Sequence, residues 1–334
     1  YKISDDIFKR ITTVPDGKNH GLIMFLDWSG SMQHNLLDTL KQTYNLVWFC
    51  RKAGIPFRVY AFQNGWSNNR THPAVTPKKN TLTFCEDFKL LEFFSSRQNA
   101  KSLELSMKLA YTQATSMIQH GVSYCQKYTL GGTPLGEAIM CARQLVANLK
   151  KVENVTKVNV ISLTDGEANH LPKHKTVERH WEPKPYLGQT SVHAMRDHLR
   201  NRKNGRTYKI KHAWNDFTGT LITYVKDENP GINFIGIRLL APRDSGYFID
   251  RYCGWNSPEA LSSRAQWKKT KSFSMELDGY NKYFGLSSAT LAADDEFEVG
   301  EFATKAEIKR AFTKSLKTKK LNKKVLGEFV DLIA

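Results

Sequence analysis

Gly21-Leu22-Ile23-Met24-Phe25-Leu26-Asp27-Trp28-Ser29-Gly30-Ser31-Met32 joins an apolar run to a carboxylate and two hydroxyls at alternate positions. Such a run suits a central parallel strand covered on both faces. Asp27, Ser29 and Ser31 would then emerge at its end as half of a divalent-cation site. The remaining oxygens are expected on distant loops. Thr133, in Gly131-Gly132-Thr133-Pro134, and Asp165, in Leu163-Thr164-Asp165-Gly166, stand where a doubly wound sheet would deliver them. Each segment falls at the C-terminal end of a strand or just before a helix, the crevice where open α/β sheets bind ligands.

Taken singly, each piece has a plainer use. Asp-x-Ser-x-Ser serves as a helix N-cap, and Thr-Asp-Gly is a common turn. Together and in order they point to one ion. Hydroxyl, carboxylate and water oxygens suit hard cations and suit zinc poorly. Mg²⁺ is the expected ion, with Mn²⁺ and Ca²⁺ as alternatives. Ser29 and Ser31 are expected to ligate directly, and Asp27, Asp165 and Thr133 directly or through water. Gly30 is expected to permit the tight turn that aims both hydroxyls, and Gly131-Gly132 to give the Thr133 loop backbone freedom.

The Asp27/Ser29/Ser31, Thr133 and Asp165 pattern resembles the metal-ion-dependent adhesion site of von Willebrand factor A domains, from about Gly21 to Leu240. The resemblance implies a doubly wound, mostly parallel sheet flanked by helices. It also implies a metal with one position open for a partner's carboxylate. Asp27 to Met32, Gly136-Glu137-Ala138, and Ile235-Gly236-Ile237 followed by Asp244 to Tyr252 are similar to the A-domain subunit of aerobic cobaltochelatase and its phage-borne relatives. Those proteins work with a MoxR-type AAA+ ATPase, so the resemblance implies an Asp or Glu of that ring on the metal, and a non-ATPase role in chelatase-like metal insertion or macromolecular remodelling. The chain departs from that subunit in its Gly131-Gly132-Thr133-Pro134 loop and in the basic insertion after Gly166.

Enzymatic motifs are lacking. The chain has no Gly-x-x-x-x-Gly-Lys-Ser/Thr phosphate loop, no Gly-x-Ser-x-Gly elbow and no His-Glu-x-x-His. A phosphotransfer reading of Asp27 lacks a second acid on its loop. His170-x-x-x-His174 is a poor zinc pair, since Pro172 interrupts helical spacing and no cysteine accompanies it. No run of about eighteen apolar residues occurs, so no membrane span is expected, and Tyr1 to His20 shows no secretory pattern. The five cysteines lack any Cys-x-x-Cys spacing. A reducing cytoplasm is therefore the expected compartment, that of the host for a phage-encoded chain.

The expected organisation is an N-terminal extension over 1–20, an A domain over 21–240 with a basic insertion at about 167–218, and a C-terminal α+β extension over 241–334. Helices are expected at Leu36 to Lys52, Lys101 to Gln119, Leu135 to Lys150 and Thr218 to Lys226. Further strands are expected at Pro56 to Phe62, Val155 to Thr164 and Ile232 to Leu240, with a hairpin over Thr81 to Phe94. Beyond Ala241, helices near Tyr247 to Tyr252 and Pro258 to Lys269 precede two strands, at Ser272 to Leu277 and Tyr280 to Leu286. A basic amphipathic helix closes the chain at about Thr304 to Ala334.

The formal net charge of +17 over 334 residues is concentrated in Lys173 to Lys211 and Lys305 to Lys324. Three explanations stand: an acidic protein segment as partner, nucleic acid whose counterions are released on binding, or a solvated basic face. A nucleic-acid-binding or virion-associated scaffold of the same fold, without an ATPase, is thus the alternative function. The insertion follows Asp165 directly, so it is expected to form a lid or docking surface at the site's rim.

Overall fold

Strand β1 (His20–Asp27) is buried from Gly21 onward, as an apolar run in the middle of a parallel sheet must be. It belongs to a computed structural model that describes residues 20–65, 78–85, 87–169, 171–181, 183–210 and 217–290. From β1 the chain passes through a 3₁₀ turn at Gly30–His34 into helix α1 (Leu36–Lys52) and strand β2 (Phe57–Asn64). Strand β3 (Phe88–Ser95), helix α2 (Ala100–His120), helix α3 (Leu135–Glu153) and strand β4 (Lys157–Thr164) follow. The insertion then supplies four short strands, β5 (Pro172–Val177), β6 (Tyr186–Ser191), β7 (His198–Arg200) and β8 (Thr207–Lys209). Helix α4 (Thr218–Glu228) and strand β9 (Ile232–Leu240) return to the core. The described chain continues through helix α5 (Ser245–Cys253), helix α6 (Pro258–Thr270), strand β10 (Ser272–Met275) and strand β11 (Lys282–Ser287).

Seven strands form one sheet in the order β10-β11-β9-β4-β1-β2-β3. The inner pairs are parallel, and the edge strands β3 and β10 run antiparallel to β2 and β11. Helices cover both faces, so the fold is the doubly wound, mostly parallel α/β sheet expected from the sequence. Alternation along β1 sorts its side chains between two cores. Leu22, Met24 and Leu26 pack with Leu40 and Val47 of α1 and Leu103 of α2. Ile23 and Phe25 pack with Ile139 and Ala142 of α3 and Leu221 of α4. A third cluster joins Phe248 and Ile249 of α5 to Trp267, Phe273 and Tyr283, under β10 and β11. The strands beyond Ala241 thereby extend the central sheet.

The connection leaving β1 runs to β2 on one side and the one leaving β4 runs to β9 on the other, so a crevice opens between the C-terminal ends of β1 and β4. Asp27 sits at the β1 end. The expected helices are found with ends shifted by at most a few residues, and β9 has the expected bounds. The hairpin expected over Thr81 to Phe94 does not form: Phe88–Ser95 is a single strand that pairs with β2, from Asn64↔Phe88 to Arg58↔Ser95. Its apolar residues gain more by extending the sheet than by folding on a polar neighbour, and Leu82 makes only an isolated bridge to Lys173. The closing helix at about Thr304 to Ala334, most of the loop before Asn80, and His170 lie outside the described residues. No described helix is long and apolar enough to cross a membrane.

Candidate metal centre

Four of the five sequence-predicted ligands meet in a continuous polar chain at the head of β1. Ser29 Oγ and Ser31 Oγ are 3.0 Å apart, and Ser31 Oγ donates to Asp165 Oδ1 at 2.7 Å. Asp27 Oδ1 accepts from the Ser29 amide at 3.0 Å. The fifth, Thr133, stands across Gly166: a Cβ built on Gly166 would lie 3.4 Å from Thr133 Oγ1 and 3.7 Å from Ser31 Oγ. Three loops far apart in sequence thus bring these oxygens to the head of β1. Asp27, Ser29 and Thr133 are buried, whereas Ser31 is exposed, so the cluster opens to solvent on the Ser31 side.

Residues beside the expected ligands hold this geometry. Thr164, the last residue of β4, donates to Asp27 Oδ2 at 2.6 Å and receives the Gly166 amide at 3.0 Å. Arg238 stands opposite Thr164 in the β4–β9 register and donates to the Gly166 carbonyl. Glu167 accepts from Tyr252 Oη at 3.1 Å and pairs with Arg251 at 3.3 Å, which ties the Asp165 loop to α5. Sequence reading missed the roles of Thr164, Arg238 and Glu167. Thr164 is adjacent to a ligand and could have been noticed, but Arg238 becomes visible only once β9 is known to pair with β4.

The two glycine expectations are revised. Gly30 has no positive φ, and a Cβ there would meet only the Gly131 carbonyl, at 3.9 Å. The turn is set instead by backbone pairing between the two loops: Gly30 N–H donates to Gly131 O at 2.8 Å, and Gly131 N–H to Trp28 O at 3.1 Å. Gly131 and Gly132 likewise lack positive φ, so they serve close approach rather than loop freedom. A Cβ on Gly131 would lie 2.0 Å from the Asn64 carbonyl oxygen, and one on Gly132 2.3 Å from Asn64 Oδ1. The Thr133 loop is clamped between β1 and β2. Gly30→Ala is therefore expected to change the unfolding free energy by less than about 0.5 kcal/mol, as at other uncrowded surface positions. Urea denaturation measures this directly.

Electrostatics favour a cation at this place. Burial pushes the Asp27 carboxyl up to about 7, against hydrogen bonds from Thr164 and Ser29 that hold it down, and nearby Asp165 raises it further. Burial also raises Asp165, opposed by Ser31 and by the charge of Arg238. Among the described residues no Lys or Arg pairs with Asp27. A buried carboxylate left so is costly, and a divalent ion beside it would remove that cost. The donors also suit Mg²⁺. Two oxygens on adjacent corners of an octahedron, each about 2.05 Å from the ion, lie about 2.9 Å apart, close to the two side-chain spacings that run from Ser29 to Asp165. No group of three or more His, Cys, Asp or Glu is placed to hold a metal among the described residues. Hydroxyls would have to supply the rest.

Fold and site together define a doubly wound α/β protein with a hydroxyl-rich oxygen cluster at the head of its central strand. No family model matches the chain, and no curated protein matches it. Among solved structures it is similar to the vWF domain of the type V pili tip protein Mfa5 from Porphyromonas gingivalis, with 9% identity, 82% of this chain and 91% of that chain covered, and a TM-score of 0.36. It is also similar to the pilus adhesin SpaC from Lactobacillus rhamnosus GG in its open conformation, with 12% identity, 66% of this chain covered and a TM-score of 0.37. The chain spans 24% of that adhesin's length. A third likeness is to proximal thread matrix protein 1 from the mussel byssus, with 15% identity, 66% of this chain and 38% of that chain covered, and a TM-score of 0.32.

Proposed function

We propose that the chain is a protein-binding subunit that takes Mg²⁺ at Asp27, Ser29, Ser31, Thr133 and Asp165 and grips a partner's Asp or Glu through it. The observation that carries this reading is the buried Asp27 carboxylate joined with the two serines and Asp165 around a solvent-facing opening. When bound, the ion supplies a hard positive centre with a coordination position for an incoming carboxylate. The residues do the rest. Thr164 and the Ser29 amide orient Asp27, and Ser31 aligns Asp165. Arg238 holds the Gly166 carbonyl, and Arg251 and Tyr252 hold the Glu167 carboxylate. The resemblance of Asp27 to Met32 to the chelatase A-domain subunit supports a MoxR-type AAA+ ring as the partner. ATP-driven motion of the ring would then pull on or release this subunit, and any metal insertion or remodelling would be catalysed elsewhere in the complex.

Thr133 lies across Gly166 from the serines, so Thr133→Ala leaves two serines and two carboxylates to hold a hydrated ion. Thr133→Ala is expected to keep Mg²⁺ affinity within about tenfold and to lose binding of the MoxR-type ATPase, whereas Ser29→Ala and Ser31→Ala lose both. Paired calorimetric titrations of Mg²⁺ and of the ATPase, each repeated in EDTA, test this. Wild-type ATPase affinity in EDTA would sink the metal-bridge reading.

A further inference from the structure

The insertion after Asp165 carries a feature that the metal reading leaves unused. Residues 172–210 hold ten Lys and Arg against three Asp and Glu, a large part of the chain's excess charge. Lys173 is engaged by Asp197 and Arg206 by Asp227. Lys175, Lys184, Arg196 and Arg200 are exposed and have no acidic partner among the described residues. At the turn of the β5–β6 hairpin, Trp181 is 64% exposed and Tyr186 37% exposed. The Arg179 guanidinium carbon lies 5.5 Å from the centroid of each of these rings, and the His180 ring meets Trp181 edge-on at 4.6 Å.

An indole presented to water at the end of a polar hairpin contributes nothing to the core. It sits instead beside a second ring, joined to it through the Arg179 guanidinium, with Lys184 in the same turn. Rings on which bases stack, set within a positive surface that follows a phosphate backbone, are the two parts of a single-strand binding platform. Duplex DNA keeps its bases stacked on one another, so these ring faces would go unused there. An acidic peptide could answer the charge but not the rings.

We infer that the β5–β6 hairpin binds single-stranded nucleic acid, with bases stacked on Trp181 and Tyr186 and phosphates held by Arg179 and the surrounding Lys and Arg residues. None of these residues is among the proposed metal ligands, so this binding needs no metal ion. Binding is measured by fluorescence anisotropy with labelled fifteen-nucleotide oligo-dT and oligo-U strands, a duplex of the same length, and polyglutamate as an acidic competitor. The single strands are expected to bind equally in Mg²⁺ and EDTA, with log affinity falling against log salt by about 0.7 per phosphate engaged. Trp181→Ala should weaken binding roughly tenfold, and Trp181→Ala with Tyr186→Ala roughly a hundredfold, from the usual strength of base–aromatic stacking. Both side chains are exposed, so thermal unfolding of the variants should match wild type. The inference is overturned if the double variant binds the single strands as tightly as wild type. It is equally overturned if the duplex or polyglutamate binds as tightly as the single strands, or if EDTA abolishes binding.

Discussion

Asp27→Asn is expected to remove most of the protein's loss of stability between acid and neutral pH, and with it the stabilisation by Mg²⁺. The sign follows from the folded Asp27 carboxyl, pushed up to about 7 from an ordinary value of 3.8. As pH rises through 4 the unfolded chain ionises while the folded one stays protonated, so stability falls until about pH 7 and then levels off. The shift corresponds to a cost of about 4 kcal/mol above pH 7, an upper figure for one buried carboxylate. Asn keeps the shape and the acceptor for the Ser29 amide, and Thr164 Oγ1 retains the Gly166 carbonyl at 3.0 Å. Urea unfolding at pH 5 and pH 8 in EDTA should therefore show a steep decline for wild type. The variant should keep only the part due to Asp165 and Glu137, whose carboxyls burial also raises. With Mg²⁺ at a hundred times its dissociation constant, wild type should gain about 2.7 kcal/mol and the variant nothing. An unchanged pH slope, or an equal Mg²⁺ gain in both proteins, would rule out Asp27 as the buried anion that the metal answers.

Gly131→Ala should be the most damaging small substitution in the site. Its Cβ would stand 2.0 Å from the Asn64 carbonyl oxygen and 2.6 Å from Gln63 Oε1, against backbone that is fixed by β2. Relief requires moving the loop off β1, which breaks the pairing of Gly131 with Gly30 and Trp28. A destabilisation of about 3 kcal/mol is expected, the upper part of the usual range for overpacking, and binding of the carboxylate partner should fall with it because Thr133 is displaced. Urea denaturation beside Gly30→Ala gives the contrast. Equal midpoints for the two variants would show that the clamp between the loops has no energetic weight.

Much of this arrangement is legible in the sequence. The run Gly21 to Leu26 is apolar on both faces, which few settings besides a central parallel strand allow, and Asp27 at its end followed by Ser29 and Ser31 marks a ligand position. Helix α1 is legible through Gly54, which takes a positive φ just past the helix end. Other features rest on pairings that local pattern does not encode. Phe88–Ser95 has the composition of a strand, but nothing in it specifies β2 as its neighbour. Arg238 bears on the site only through its register opposite Thr164. Gly30 and Gly131 look alike in sequence, yet crowding by Asn64 makes one of them irreplaceable and leaves the other free. The hairpins of the insertion escaped notice because polar strands with exposed faces lack the apolar alternation that announces a strand.

Isothermal titration of Mg²⁺ into wild type and into Asp165→Ala is the most direct measurement of the central claim. Asp165 is half-buried at a strand end and accepts from Ser31 at 2.7 Å, so the variant should fold normally. A metal held between β1 and the Asp165 loop predicts one Mg²⁺ per wild-type chain and no measurable binding to the variant. Equal stoichiometry and affinity in the two proteins would contradict it.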